Sequence, residues 1–155
     1  HIIEDAYREV FGAFKAKRIQ TQFKLPKTDT IVQVDPVKLR QAIVNLLNNC
    51  ARFTPEDGRV EIAARQHLDH IHVSIKDNGI GIPPGKLELI FERMVQADDH
   101  VTRIYGGLGL GLPIARGIVA LHGGRMWAES EGRGKGSIFN FTIPVVKVKP
   151  FIEED

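Results

Sequence analysis

Residues 70–83 read His70-Ile-His-Val-Ser-Ile-Lys-Asp77-Asn-Gly-Ile-Gly-Ile-Pro83. Ile71, Val73 and Ile75 alternate with polar neighbours, the period-two pattern of a strand with one face against a core. Counting on by two makes Asp77 the next residue on that apolar side, so a carboxylate is aimed at the core edge. Two readings stand side by side. Asp-Asn-Gly is a common turn sequence. The alternating glycines that follow would also let a flat ligand approach the backbone closely, with Asp77 as its hydrogen-bond acceptor.

Working outward, Arg59 to Arg65 alternates in the same way, and a tight polar turn joins it to His70–Lys76, which predicts a hairpin. Asp35-Pro36 reads as an N-cap with proline at the first helical position, and Val37 to Phe53 as a helix ended by Thr54-Pro55. Ile31 to Val34 reads as a short strand before it. Residues 2–18 place Ile3, Tyr7, Val10, Phe11 and Phe14 at helical spacing, and Gln20 to Leu25 alternates like a strand until Pro26. Downstream, residues 77–109 are rich in loops around short helical pieces such as Lys86 to Met94. Leu110 to Leu121 is helical, His122-Gly123-Gly124 breaks it, and Arg125 to Glu131 with Ser137 to Ile143 makes a closing strand pair. Residues 147–155 read as a tail or linker, which leaves 1–146 as one domain. Helices and strands that alternate without a regular βαβ repeat predict an α/β fold: a two-layer sandwich whose mixed sheet is covered on one face by helices.

Composition narrows the function. The 155 residues are 43% apolar and 26% charged, the balance of a single globular domain. No apolar run approaches the roughly 18 residues that a membrane helix needs. A net charge of +2 with scattered basic residues gives no nucleic-acid groove. The one cysteine, Cys50, excludes an internal disulfide and suits a reducing, cytoplasmic setting.

Three features could carry chemistry. On the helix from Val37 to Phe53, a step of about 100° per residue gathers Asn45, Asn49 and Arg52 into one stripe, with Leu39, Ile43, Leu46, Leu47 and Cys50 opposite. A polar stripe is ordinarily a solvated face. Asparagine is a mediocre helix former, however, and Asn45, Asn48 and Asn49 together point towards a site. An amide oxygen suits Mg²⁺ beside nucleotide phosphates, which Arg52 could also meet. Second, Asp77 could accept from the exocyclic amino group of adenine. Third, Gly106-Gly-Leu-Gly-Leu-Gly-Leu-Pro113 leads into a helix N-terminus, either as a flexible hinge or as an anion site. It matches neither G-x-G-x-x-G nor G-x-x-x-x-G-K-[ST], so dinucleotide and P-loop binding are unsupported.

These residues resemble the catalytic domain of sensor histidine kinases, in the superfamily of gyrase, chaperone and mismatch-repair ATPases. Asn45-Leu-Leu-Asn-Asn49-Cys-Ala-Arg52-Phe53-Thr54 resembles the N box, and Asp77-Asn-Gly79-Ile-Gly81-Ile82-Pro83 the first glycine box. Ile90-Phe91-Glu-Arg-Met94 resembles the F box, and Gly107-Leu108-Gly109-Leu110-Gly111-Leu the second glycine box. The resemblance covers roughly residues 2–144 and implies a Bergerat-type fold that binds ATP and Mg²⁺. Asp77 would hold the adenine amino group, Asn49 the metal, and Asn45, Arg52 and Arg103 the phosphates. Phe53, Gly79, Gly81, Ile82 and the 107–111 run would line the nucleotide, and residues 96–106 would be a lid. Leu108 stands where the family usually has threonine, Met94 replaces a phenylalanine, and Gln96 sits where some members carry arginine.

Hydrolytic members of the superfamily carry a glutamate at the position of Asn45, and an amide cannot act as that general base. The resemblance therefore implies phosphoryl transfer to a protein histidine. The acceptor histidine of the family precedes an acidic residue, and none of the six histidines here does so. The expected partners are a dimerisation and phosphoacceptor helical domain and a response-regulator receiver, with this domain monomeric and outside the membrane. The alternative is a noncatalytic nucleotide-sensing module of the same fold. His67, His70 and His72 are a solvated hairpin in preference to a metal cluster, and Cys50 a buried filler in preference to a regulatory thiol.

Overall fold

A computed structural model describes residues 1–28, 32–92 and 111–145. Helix α1 (Ile2–Ala16) turns Ala6, Val10 and Phe14 inwards, as its apolar spacing predicts. From the same helix, Tyr7 donates to Thr21 Oγ1 at 3.0 Å and meets Phe23 edge-on, which fixes α1 over β1 (Gln20–Lys24). Helix α2 (Pro36–Phe53) begins where Asp35 accepts from the amides of Val37 and Lys38 at 3.0 and 3.2 Å. Pro36 takes the first turn, where its missing N–H leaves no bond unmade. Strands β2 (Arg59–Gln66) and β3 (His70–Asp77) form the expected hairpin. Helix α3 (Gly111–Leu121), β4 (Met126–Glu129) and β5 (Ser137–Pro144) complete the described chain.

The sheet runs β1-β2-β3-β5-β4, with β1 parallel to β2 and the other pairs antiparallel. Register aligns Ile62, Ile75, Phe139 and Ala128 in one row across the sheet, and Val73, Phe141 and Met126 in the next. All seven are buried in one cluster with Ile43, Leu46 and Leu47 of α2. Burying each large side chain contributes about 1.5–3 kcal/mol, so this shared face fixes the layering. The opposite face bears Glu61, His72, Ser74 and Lys76, half-buried or exposed. The fold is the two-layer sandwich with a mixed sheet that the sequence predicts.

Two local expectations change. Residues 32–34 form no strand; Val32 and Val34 pack against the core, so their alternation reflects burial without sheet pairing. Ile31 lies outside the described residues. Over 86–92, the described part of the helix expected at 86–94, only a 3-10 turn forms, Leu89–Phe91, because Ile90 and Phe91 are drawn into the core just after the Pro83-Pro84 turn. Met94 and the tail 147–155 lie outside the described residues.

Candidate functional site

Asp77 ends β3 on the core face, level with Val60 of β2 and Ser137 of β5. Only 6% of it is exposed. One carboxylate oxygen accepts from the Gly79 amide and the other from the Ser137 hydroxyl, both at 2.8 Å. Burial pushes its pKa above the ordinary carboxylate value, and the bonds from Ser137 and Gly79 pull the other way without cancelling it. A buried, oriented acceptor of this kind suits a ligand N–H.

The glycines after Asp77 let the protein's own backbone come close. A Cβ on Gly79 would stand 2.4 Å from the Phe53 carbonyl oxygen, and one on Gly81 2.0 Å from that of Gly132. Gly81 also has φ +72°, a left-handed conformation suited to glycine. The β4–β5 loop closes over this stretch: Gly134 donates to the Ile80 carbonyl at 2.7 Å and Gly136 to that of Gly79 at 3.1 Å. Ser130 Oγ accepts from the amides of Ile82 and Gly132 and donates to the Gly136 carbonyl at 2.7 Å. The strand-end carboxylate therefore sits in a frame of two glycine loops bonded to each other.

Across from it, α2 carries the polar stripe. Asn45 Nδ2 donates to the Gly111 carbonyl at 3.3 Å, tying α2 to the start of α3. One turn on, the Asn49 amide nitrogen is buried with no partner among the described residues. An unpaired buried amide costs about 1–3 kcal/mol, a penalty that a polar ligand there would relieve. Arg52 is exposed, its guanidinium 5.6 Å from the centre of the Phe53 ring. On the inward side, burial raises the Cys50 thiol pKa strongly and the Asp77 carboxylate adds to it, so α2 and Asp77 share one electrostatic environment. Cys50 is buried, its Sγ 3.8 Å from Thr54 Oγ1.

The family model described as Histidine kinase-, DNA gyrase B-, and HSP90-like ATPase matches residues 34–147. The chain belongs to this ATPase family. Sensor histidine kinase WalK of Bacillus subtilis is 38% identical over 136 residues, which cover 86% of this chain and 22% of WalK. The catalytic domain of histidine kinase ThkA matches with a TM-score of 0.79 at 28% identity, over 93% of this chain and 92% of that one. ThkA in complex with response regulator protein TrrA matches at 0.76 and 28%, over 94% of this chain and 40% of that chain. The ATPase domain is thus of the histidine-kinase type, and it spans about a fifth of the length of its WalK relative.

In this histidine-kinase-type domain the F-box residues act as an anchor. Ile90 and Phe91 are buried, and Phe91 meets Phe139 edge-on at 6.3 Å. Arg116 of α3 lies over the Phe91 ring at 4.8 Å and forks onto Glu88 at 2.9 and 3.2 Å. Of the expected site residues, Asn45, Asn49, Arg52, Phe53, Asp77, Gly79, Gly81, Ile82 and Gly111 are described. Phe53 and Ile82 are core residues, 9% and 1% exposed. Gln96, Arg103, Gly107, Leu108, Gly109, Leu110 and the 96–106 segment lie outside the described residues.

Sequence reasoning missed Ser130, Ser137 and Arg116. A signal existed for the first two: Gly132-Arg-Gly134-Lys-Gly136 alternates glycines as the 79–81 stretch does, and all three have positive φ. Of the histidines, His67 and His70 stack at 4.6 Å, while His72 bonds to Asn140 Oδ1 at 2.9 Å and stacks on Trp127. No group of three or more His, Cys, Asp or Glu among the described residues is arranged to hold a metal. No described helix is long and apolar enough to cross a membrane.

Proposed function

We propose that residues 1–146 bind ATP with Mg²⁺ and transfer its γ-phosphoryl group to a histidine on a helical acceptor domain outside this chain. Asp77 accepts the adenine amino group, in the environment set by Ser137 and Gly79. Asn45, Asn49 and Arg52 face the phosphates, with the N-terminus of α3 beside Asn45; Arg103 and the 107–110 run, outside the described residues, would bind them as the resemblance implies. The Asn49 amide nitrogen, without a partner among the described residues, fits a polar ligand, and the amide oxygen is the kind of hard donor that Mg²⁺ takes; bound there, the ion would neutralise phosphate charge. Kinase sensors such as WalK and ThkA support this reading, and the complex of ThkA with TrrA supports a receiver domain as the downstream partner. A cytoplasmic setting follows from the use of ATP.

The observation that carries the proposal is Asn45. It stands on the phosphate stripe, bonded to Gly111, and as an amide it can orient a group but cannot take a proton from water. The domain is thereby suited to positioning for transfer. Incubation with labelled ATP, Mg²⁺ and a separately produced acceptor helix should give acid-labile phosphate on that helix. Rapid phosphate release without acceptor would instead favour hydrolysis, and tight ATP binding with an unlabelled acceptor would favour a sensing module.

A further inference from the structure

The residue after α1 carries an ammonium group to the far end of α2. Lys17 Nζ donates to the carbonyls of Ala51, Arg52 and Thr54 at 2.8, 3.0 and 3.0 Å. All three donors of the ammonium are thus committed at a helix C-terminus, where carbonyls lack intrahelical partners and the dipole is negative. The same turn is gripped from the nucleotide side, where the Phe53 carbonyl accepts from Ile80 at 3.4 Å and Gly79 leaves room only for hydrogen. The Lys17 backbone joins in, its carbonyl accepting from Asp57 at 2.8 Å. Arg18, at φ 54°, forks onto the Asp57 carboxylate at 2.9 and 3.0 Å.

We infer that Lys17 is a positioning residue for the phosphate side of the nucleotide site, setting where Arg52 and the end of the α2 stripe stand relative to Gly79 and Ile80. The inference rests on the nucleotide-binding reading above. It concerns one half of the site only. Asp77 is held chiefly from the sheet, by β3 pairing and by the bond from Ser137. Lysine matches three converging carbonyls because its donors form a compact tripod, whereas a planar guanidinium engages them incompletely.

The test compares wild type, Lys17→Met and Lys17→Arg at a temperature well below each melting point, measuring affinity for a nonhydrolysable ATP analogue with Mg²⁺ and for adenosine. Lys17→Met should weaken the analogue on the order of tenfold, the scale of one lost charge-assisted hydrogen bond, and adenosine by less than about twofold. Lys17→Arg should recover part of the loss. A merely structural lysine would lower the melting temperature and leave this split unmoved. Unchanged analogue affinity, or equal weakening of both ligands, overturns the inference. If Lys17→Met fails to fold, Lys17→Gln and Lys17→Arg carry the same comparison. A folded wild-type protein that binds neither ligand overturns the nucleotide reading and this inference with it.

Discussion

Ser137 and Asp77 face each other across the β3–β5 pairing, and the serine hydroxyl donates to Asp77 Oδ2 at 2.8 Å inside the core. The two residues are 60 positions apart in the chain. Ser137→Ala should remove the hydroxyl donor from the buried carboxylate and cost about 1–3 kcal/mol of stability. Urea unfolding of the two proteins measures it; an unchanged midpoint would show that the bond contributes nothing net.

Asp77→Asn should weaken ATP binding by about 1.5–3 kcal/mol, the scale of a hydrogen bond to a charged group, in a protein that still folds. Calorimetric titration reads the loss directly. Equal affinity in a folded variant would remove Asp77 from adenine recognition.

The raised pKa of Asp77 also has a sign. Because burial raises its folded pKa, the native state takes the proton before the unfolded chain does as pH falls, so the cost of burying the carboxylate is relieved on acidification until the unfolded chain titrates near the ordinary value of 3.8. Thermal melts over this range should therefore show the stability difference between Asp77→Asn and wild type moving in favour of wild type on acidification. A difference independent of pH would contradict the burial effect.

Gly81→Ala should cost about 2–4 kcal/mol, since it combines a left-handed backbone with a Cβ 2.0 Å from the Gly132 oxygen. Gly85 has φ +82° with nothing within 4 Å of an added Cβ, so Gly85→Ala should cost only the backbone term, about 1–2 kcal/mol. Denaturant midpoints for the two variants should differ accordingly. Equal losses would deny the closeness of the two glycine loops.

Arg116→Ala should destabilise by about 1 kcal/mol, through lost packing on Phe91 more than through the ion pair with Glu88. The Glu88 side chain is 72% exposed, so Glu88→Gln should cost less than about 0.5 kcal/mol. Comparable losses in the two variants would assign the stabilisation to charge.

Much of the fold was legible because its signals are local. Alternation in residues 59–65 and 70–76 gave the hairpin, and Asp35-Pro36 and Thr54-Pro55 bounded α2 to within a residue. The same reasoning misread residues 32–34, where an alternating pattern records burial and says nothing about whether a neighbouring strand is there to pair. It overextended the 86–94 helix because two apolar side chains fit a helical stripe and a 3-10 turn equally well.

At the site, the sequence by itself determined which face Asp77 takes and which α2 residues share a stripe, since both follow from the repeat of a single element. Only the tertiary structure decided what meets them. That Ser137 falls opposite Asp77 depends on strand register. That Ser130, Gly134 and Gly136 bond to the first glycine loop depends on how two turns come together, and neither relation leaves a periodic trace. The glycines show the difference most plainly: their spacing announced a close approach, but whether the approaching group is a ligand or the protein's own backbone depends on atoms about 50 residues away in the chain, such as the Gly132 carbonyl beside Gly81.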